Sequence, residues 1–366
     1  MNTTLTEDMR TSMRIPYGLR RVPQSTFATF LPCPGDPQAG DIALARLEKI
    51  GKNVRLELVN GRAATLHEGD LLAVVFGNRY ATEQFEGYAR INGDACDLLS
   101  MGGLCGLVES RHASVAEPSK LRIFGALGDA DGRPLRLRDF SLPPAFNSAR
   151  PQVVVVCGTS MDAGKTYTAA SLITGLRQLG ERVAGIKLTG TAAGRDTWGM
   201  LDAGAEPALD FIDGGLPSTY LAPLDELLRL HHLLVGHAAS LGARRVVIEI
   251  ADGLFQTETA ALLQCPAFTK TVNHWVFATS DPIAADGGVR VLREWGIEPA
   301  AISGIISMSP LAMREAQTAT GVRCLTAKEL QGGVLNKILS GNQRESINGY
   351  SPGTKPWSVV EGVCSQ

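Results

Sequence analysis

The chain has 366 residues, 44% of them hydrophobic, which is ample for more than one core of the usual size of about 100–200 residues. Its 35 Lys and Arg nearly balance 37 Asp and Glu with no dense basic block, so charge excludes nucleic acid and membrane surfaces as expected partners and favours a small molecule. Seven scattered cysteines without a CxxC pair read as reduced thiols of a cytoplasmic protein, and no apolar run reaches the ~18 residues of a membrane span.

In chain order, "DIALARLEKIGKNVRLELVNGRAATLHEGDLLAVVFGNRY" from Asp41 alternates apolar and polar residues, with turns at Asn60-Gly61 and Glu68-Gly69-Asp70. Such alternation predicts antiparallel hairpins. "KLRIFGALGDADGRPLRLRDF" repeats the pattern around Asp131-Gly132, so residues 1–145 are expected to be a smaller β-rich domain, a barrel or a sandwich. Arg79, Tyr80 and Arg111 there either reach a substrate carboxylate or phosphate or simply pack and solvate the rim. The proline-rich "SLPPAFNSARPQ" then marks a boundary.

Beyond it, "VVVVCG", "RVAGIKLTG", "RRVVIEIADG", "HWVFATS" and "ISGIISMS" are short continuous apolar runs separated by helix-length segments. That pattern requires a mostly parallel sheet covered by helices, an α/β domain over 150–345, followed by a tail over 346–366. Within "LRLHHLLVGHAASLG", His231, His232 and His237 lack metal-ligand spacing and are expected on a helix surface. Cys157 is expected to be a buried inert thiol, and Asp281 and Asp286 cap or line the ligand crevice.

The first apolar run leads into "CGTSMDAGKT". A strand, a glycine-rich turn and a helix start expose unpaired N–H groups at the positive end of a helix dipole, which is an anion site. Gly158 and Gly164 let the chain wrap around phosphates, with Thr159, Ser160, Met161, Ala163 and Tyr167 completing the loop and its exit. Lys165 supplies a cation and Thr166 a hydroxyl for Mg²⁺. Five residues rather than four separate Gly158 from Gly164-Lys165-Thr166, so the loop must bulge, and Asp162 is the expected side chain to be aimed into the site, onto Mg²⁺ or a cationic substrate group.

"GTSMDAGKT" resembles the loop of dethiobiotin synthetase, and the likeness continues in order over roughly Val153 to Leu330. "AGIKLTGTAAGRD" is similar to that family's second-strand segment, which implies that Lys187 holds substrate and Asp196 serves the metal, with Asp202 close behind. "VVIEIADGLF" is similar to its "EGAGG" segment, implying Glu249 as a Mg²⁺ ligand. "ISGIISMSP" stands at its base-reading segment without the asparagine, leaving Ser307 and Ser309 nearby. Asp252 stands where the family has glycine, and the β-rich domain has no counterpart there.

These residues predict a P-loop NTPase using ATP and Mg²⁺ to activate a small carboxylate or carbamate for C–N bond formation, with Lys165, Lys187 and Asp162 catalytic and Thr166, Asp196 and Glu249 on the metal. A small-molecule kinase and a nucleotide-switched binding protein are the alternatives. The resemblance further implies a homodimer, beside a small carboxylate or amine as substrate.

Overall fold

A computed structural model describes residues 3–32, 35–145 and 150–335; residues 146–149 of the boundary, the end of the expected α/β domain after 335 and the expected tail lie outside them, as do Cys33 and Cys364. The alternating segments form strands β1 (Thr3–Thr4), β2 (Thr29–Leu31), β3 (Ile42–Lys49), β4 (Arg55–Glu57), β5 (Ala63–Thr65), β6 (Leu71–Phe76), β7 (Phe85–Tyr88), β8 (Ala95–Leu98), β9 (Leu104–Arg111) and β10 (Ser119–Gly128), after a short helix α1 (Glu7–Ser12). The Asn60-Gly61 turn joins the antiparallel pair β4 and β5, with Gly61 at φ +82°.

Five strands close on themselves: β3 pairs β6, β6 pairs β9, β9 pairs β8, β8 pairs β10, and β10 returns to β3. Closure removes the free edges of these strands. The expected barrel-or-sandwich is thus a barrel, whose interior packs Ala43, Ala45, Leu47, Leu72, Val74, Phe76, Leu98 and Ile123. One pairing departs from the hairpin expectation: β6 and β9 run parallel, because their connection passes through β7 and β8 rather than a tight turn.

The second half supplies β11 (Gln152–Gly158), α2 (Lys165–Gln178), β12 (Val183–Lys187), α3 (Arg195–Asp202), β13 (Ala208–Asp210), α4 (Leu224–Ser240), β14 (Arg245–Glu249), α5 (Thr257–Leu263), α6 (Pro266–Thr269), β15 (His274–Ala278), α7 (Pro282–Glu294), β16 (Ala301–Ser303), α8 (Pro310–Thr320) and α9 (Ala327–Gln331). Six parallel strands lie in the order β13-β12-β14-β11-β15-β16. The continuous "VVVVC" run follows from burial on both faces. Val153, Val155 and Cys157 enter one core, and Val154 and Val156 enter another beneath α2.

The first of these cores is shared. It runs without a break from Ile42, Leu44, Leu104 and Tyr17 of the β-rich half to Val155, Ile186 and Ile248 of the parallel sheet. The barrel's outer surface therefore rests against the parallel half through apolar contact as well as through the polar bonds described below. From β11 the chain crosses to β12 on one side and later reaches β15 on the other, which opens a crevice at the carboxyl ends of the central strands. No helix among the described residues is long and apolar enough to cross a membrane.

His231 corrects the expectation of a helix-surface histidine. It is buried on α4, with Nε2 2.9 Å from Thr271 Oγ1 and its ring edge-on to Phe268; His232 beside it is exposed. The α4 face that packs inward carries Leu227, Leu230 and Leu234, and His231 follows that face. Burial pushes its pKa down to about 4, with the His232 charge adding a little. Between about pH 6.5 and 4 the unfolded chain therefore binds a proton that the folded chain refuses, so stability is full above 6.5 and falls as the pH drops. The window is worth up to roughly 3 kcal/mol. Melting temperatures at pH 7 and pH 4.5 should converge in His231→Gln relative to the parent, and an unchanged pH difference would show that another group governs acid unfolding.

Candidate functional site

β11 ends at Gly158 and α2 begins at Lys165, so the loop between them sits at the carboxyl edge of the sheet, one turn below the helix N-terminus. Gly164 caps the helix at φ +91°, and a Cβ there would come within 2.9 Å of the Gly304 backbone. Gly304 is just as tightly placed, since its own Cβ would lie 2.3 Å from Ala163 O. Only glycines allow the β16 exit to lie against the loop, where Ile305 N donates to Ala163 O at 3.1 Å. Thr159 N donates to Ala278 O at 3.0 Å and ties the loop to β15, while Thr159 Oγ1 is buried without a partner.

The Lys165 side chain is buried and its Nζ donates to Ser160 O at 2.6 Å, curling over the loop. Burial, followed by the charge of Lys187, lowers its pKa. Two ammonium groups held close in a partly dry site are costly, and anionic oxygens would relieve that cost.

Three strand or helix ends converge on Thr166. Register places Lys187 of β12 beside Glu249 of β14. Thr166 Oγ1 lies 2.9 Å from Glu249 Oε1 and 3.0 Å from Asp196 Oδ1, the latter in the first turn of α3. Lys187 Nζ reaches both carboxylates, at 2.6 Å to Glu249 Oε1 and 2.8 Å to Asp196 Oδ2.

Burial pushes the Glu249 pKa up against the pull of Lys187. Burial also opposes the charge on Asp196, but Lys187 prevails and holds Asp196 below the usual carboxylate range. Burial would neutralise Lys187, yet Asp196 and Glu249 keep it charged and raise its pKa. Glu249 Oε2 is buried with no hydrogen-bond partner among the described residues.

That orphaned oxygen and the all-oxygen set of Thr166, Asp196 and Glu249 fit a hard divalent cation such as Mg²⁺. No group of three or more His, Cys, Asp or Glu among the described residues forms a metal site alone, so phosphate and water would complete the shell.

The structure thus brings Lys165, Thr166, Lys187, Asp196 and Glu249 together. Two expectations change. Asp162 is exposed, at φ +59°, and makes no ion pair among the described residues. The extra loop residue is absorbed by that left-handed turn, and Asp162 is not one of the carboxylates that gather on Thr166 and Lys187. Lys187, expected to hold substrate, is engaged by two carboxylates, Glu249 set beside it by strand register and Asp196 brought to it by the first turn of α3.

Ser160 and Tyr167 are exposed, Met161 is half-buried, and Ser307 donates back to Gly304 O at 2.7 Å. Ser309 caps α8 and Asp281 caps α7, which leaves Asp286 to pair with Arg290. Cys157 is fully buried, which pushes its thiol up to about 12. Arg111 pairs with Glu117 near the exposed end of β9.

Sequence reasoning missed the grip of the β-rich half on α3. Glu57 Oε2 accepts from Gly194 N and Oε1 from Trp198 Nε1, both at 2.8 Å, so the two bonds bracket Asp196. Nearby, Tyr17 OH donates to Asp210 Oδ2 at 2.8 Å, and Arg20 pairs with Asp210 and Asp213 at 2.8 and 2.6 Å. In "VRLELV", Glu57 lies opposite the apolar face and looks like a solvent residue; only a burial signal would have identified it. Glu57→Gln presents an amide N–H to one of two donors. It should raise the Mg²⁺ concentration needed for half-maximal nucleotide binding about tenfold, the effect of roughly 1–2 kcal/mol from a bond to a buried charge. Titration of Mg²⁺ against a fluorescent nucleotide reads this, and a shift below twofold would dissociate Glu57 from the site.

No family model and no curated protein matches the chain. Among solved structures, it is similar to the signal recognition particle 54 kDa protein of Aeropyrum pernix K1 in complex with GDP, at 18% identity and a TM-score of 0.36, over 56% of this chain and 51% of that one. It is also similar to the signal recognition particle receptor FtsY of Elizabethkingia anophelis, at 13% identity and a TM-score of 0.34, over 54% of this chain and 68% of that one. The chain therefore spans about half the length of the first. The parallel half is a helix-covered parallel sheet with a strand, glycine-rich loop and helix in the order of a phosphate-binding loop; the likeness to dethiobiotin synthetase stays with the motifs that suggested it.

Proposed function

We propose that the chain binds a Mg²⁺–nucleoside triphosphate on the Gly158–Thr166 loop and transfers its γ-phosphoryl group to a small acceptor in the crevice. The carrying observation is the buried cluster of Thr166, Asp196, Glu249 and Lys187, with the uncommitted Glu249 Oε2 beside the loop lysine. Mg²⁺, when bound, would offset negative charge on the β- and γ-phosphates. Thr166, Asp196 and Glu249 would hold it. Lys165, released from Ser160 O, would neutralise charge developing on the transferred group.

The motif-based reading makes the acceptor a carboxylate or carbamate whose acyl phosphate is then captured by an amine, forming a C–N bond. A kinase would stop at the phosphorylated product. The test is fluorescent-nucleotide binding with and without Mg²⁺, for ATP and GTP side by side, followed by ³¹P NMR of turnover mixtures. ATP is the motif-based expectation, whereas one similar structure holds GDP. Absence of Mg²⁺-dependent binding of either would sink the proposal.

A second reading, a nucleotide-switched binding protein that acts as a dimer, has its own support. Phe255, Ile283 and Met308 are 83%, 83% and 81% exposed, and they follow β14, β15 and β16 on the same sheet edge as the phosphate loop. Large apolar side chains gathered around a ligand mouth favour a macromolecular contact. Sedimentation with a non-hydrolysable triphosphate distinguishes the readings: a nucleotide-dependent dimer with negligible turnover favours the switch, and a monomer with turnover favours transfer.

A further inference from the structure

Asp252, three residues beyond β14, has φ +62°, in the left-handed region that few L side chains adopt. Its neighbours hold it there. Ala251 N donates to Thr189 Oγ1 at 2.8 Å, Ala251 O accepts from Thr259 Oγ1 at 3.0 Å, and Gly253 lies so near the phosphate loop that a Cβ would sit 2.2 Å from Thr159 O. The Asp252 carboxylate makes no ion pair among the described residues, and its segment packs beside Gly190, where a Cβ would sit 3.7 Å from that of Ala251; the charges of Lys165, Lys187, Glu258 and Arg79 all act on it.

Arg79 comes from the β-rich half, between β6 and β7. Its Nη1 donates to Leu99 O and its guanidinium stands 5.7 Å from the Phe85 ring centre, but its buried Nε has no partner. Nη2 makes no hydrogen bond among the described residues either, so the Nε–Nη2 edge, the fork that takes a carboxylate with two bonds, is uncommitted there.

The segment carrying Arg79 is fixed against the nucleotide half: Ser218 Oγ donates to Asn78 O, and Thr219 N donates to the carbonyl of Gly190, three residues beyond Lys187. Tyr80, next to Arg79 in the chain, opens an aromatic cluster, its ring 5.4 Å from Tyr220, which is 6.2 Å from Tyr88. Glu86 accepts from Tyr88 OH at 2.6 Å and fixes the cluster.

The geometry points to an acceptor subsite built across both halves, in which Arg79 holds the carboxylate of a small hydroxy acid and Asp252 serves its hydroxyl. This rests on the phosphoryl-transfer reading above. The acceptor oxygen bonds to the γ-phosphorus, the bond from that phosphorus to the bridging oxygen breaks with its electron pair left on the nucleoside diphosphate, and the hydroxyl proton passes to Asp252. A carboxylate as the attacking group would need no base and would be repelled by Asp252, so the subsite selects a protic acceptor.

The test supplies the full-length protein and its Mg²⁺–triphosphate with a panel of two- to five-carbon hydroxycarboxylates, with propionate and glycerol as controls lacking the hydroxyl or the carboxylate. At least one hydroxycarboxylate should yield a phosphate ester by ³¹P NMR, and neither control should. Arg79→Lys should raise the acceptor KM about tenfold with little change in kcat. Asp252→Asn should lower kcat about 10²-fold or more while nucleotide affinity stays within twofold, which also reports correct folding. Bound nucleotide with no ester from any hydroxycarboxylate, or two variants that match the parent, would overturn the subsite alone. A parent that binds no Mg²⁺–triphosphate would overturn both this and the reading beneath it.

Discussion

Lys165→Ala is expected to lower nucleotide turnover about 10³-fold, the scale of removing a principal electrostatic contact to a transferring phosphoryl group. Lys165 is the loop's cation, buried, and bound to Ser160 O rather than to any carboxylate. Its lowered pKa, caused by burial and then by Lys187, means that its charge is held at a cost while no phosphate is present. The substitution should therefore leave the nucleotide-free protein as stable as its parent or more so. What it should lose is the rise in melting temperature on adding Mg²⁺–triphosphate, since ligand stabilisation scales with affinity. A variant within tenfold of the parental rate would refute the assignment of this loop.

The second large effect is Glu249→Gln. Glu249 is almost fully buried, accepts from Lys187 and Thr166 through one oxygen and keeps the other free. An amide cannot supply the negative charge that a divalent ion and Lys187 both use. Turnover at millimolar Mg²⁺ should fall about 10²-fold or more, with the Mg²⁺ requirement raised. Stability should fall as well, by roughly 1–3 kcal/mol, because Lys187 stays buried with Asp196 as its only carboxylate. Mg²⁺ titration of turnover and a denaturant melt separate the two effects. A normal Mg²⁺ requirement alongside reduced stability would make Glu249 a structural partner of Lys187 and not a metal ligand.

Much of this was legible before any tertiary contact was known, because it is local. The "VVVVCG" run, the Gly158-to-Gly164 spacing and the Lys165-Thr166 pair lie within one strand, one turn and one helix start, and the chain forms them by short-range geometry. Lys187 and Glu249 stood out for the same reason: each closes an apolar run, and parallel strands bring such ends to one edge. The barrel was half legible. Alternation announced strands, but closure through β8 and the parallel β6–β9 pair depend on partners distant in the chain.

Asp162 and Glu57 mark the limit from opposite sides. Spacing made Asp162 the obvious extra ligand, yet a single left-handed φ turns it to solvent. Glu57 carried no signal, yet folding buries its carboxylate against Gly194 and Trp198. The amino-acid sequence by itself determined a phosphate-binding loop on a parallel sheet and the strand-end charges beside it, since periodicity and turn chemistry act over a few residues. Only the tertiary structure decided that the β-rich half is bonded to the helix bearing Asp196 through Glu57, and to the segment after β13 through Asn78. Those bonds join residues more than a hundred positions apart, and each buried polar group needs its distant partner to offset the cost of leaving water, which no local pattern encodes.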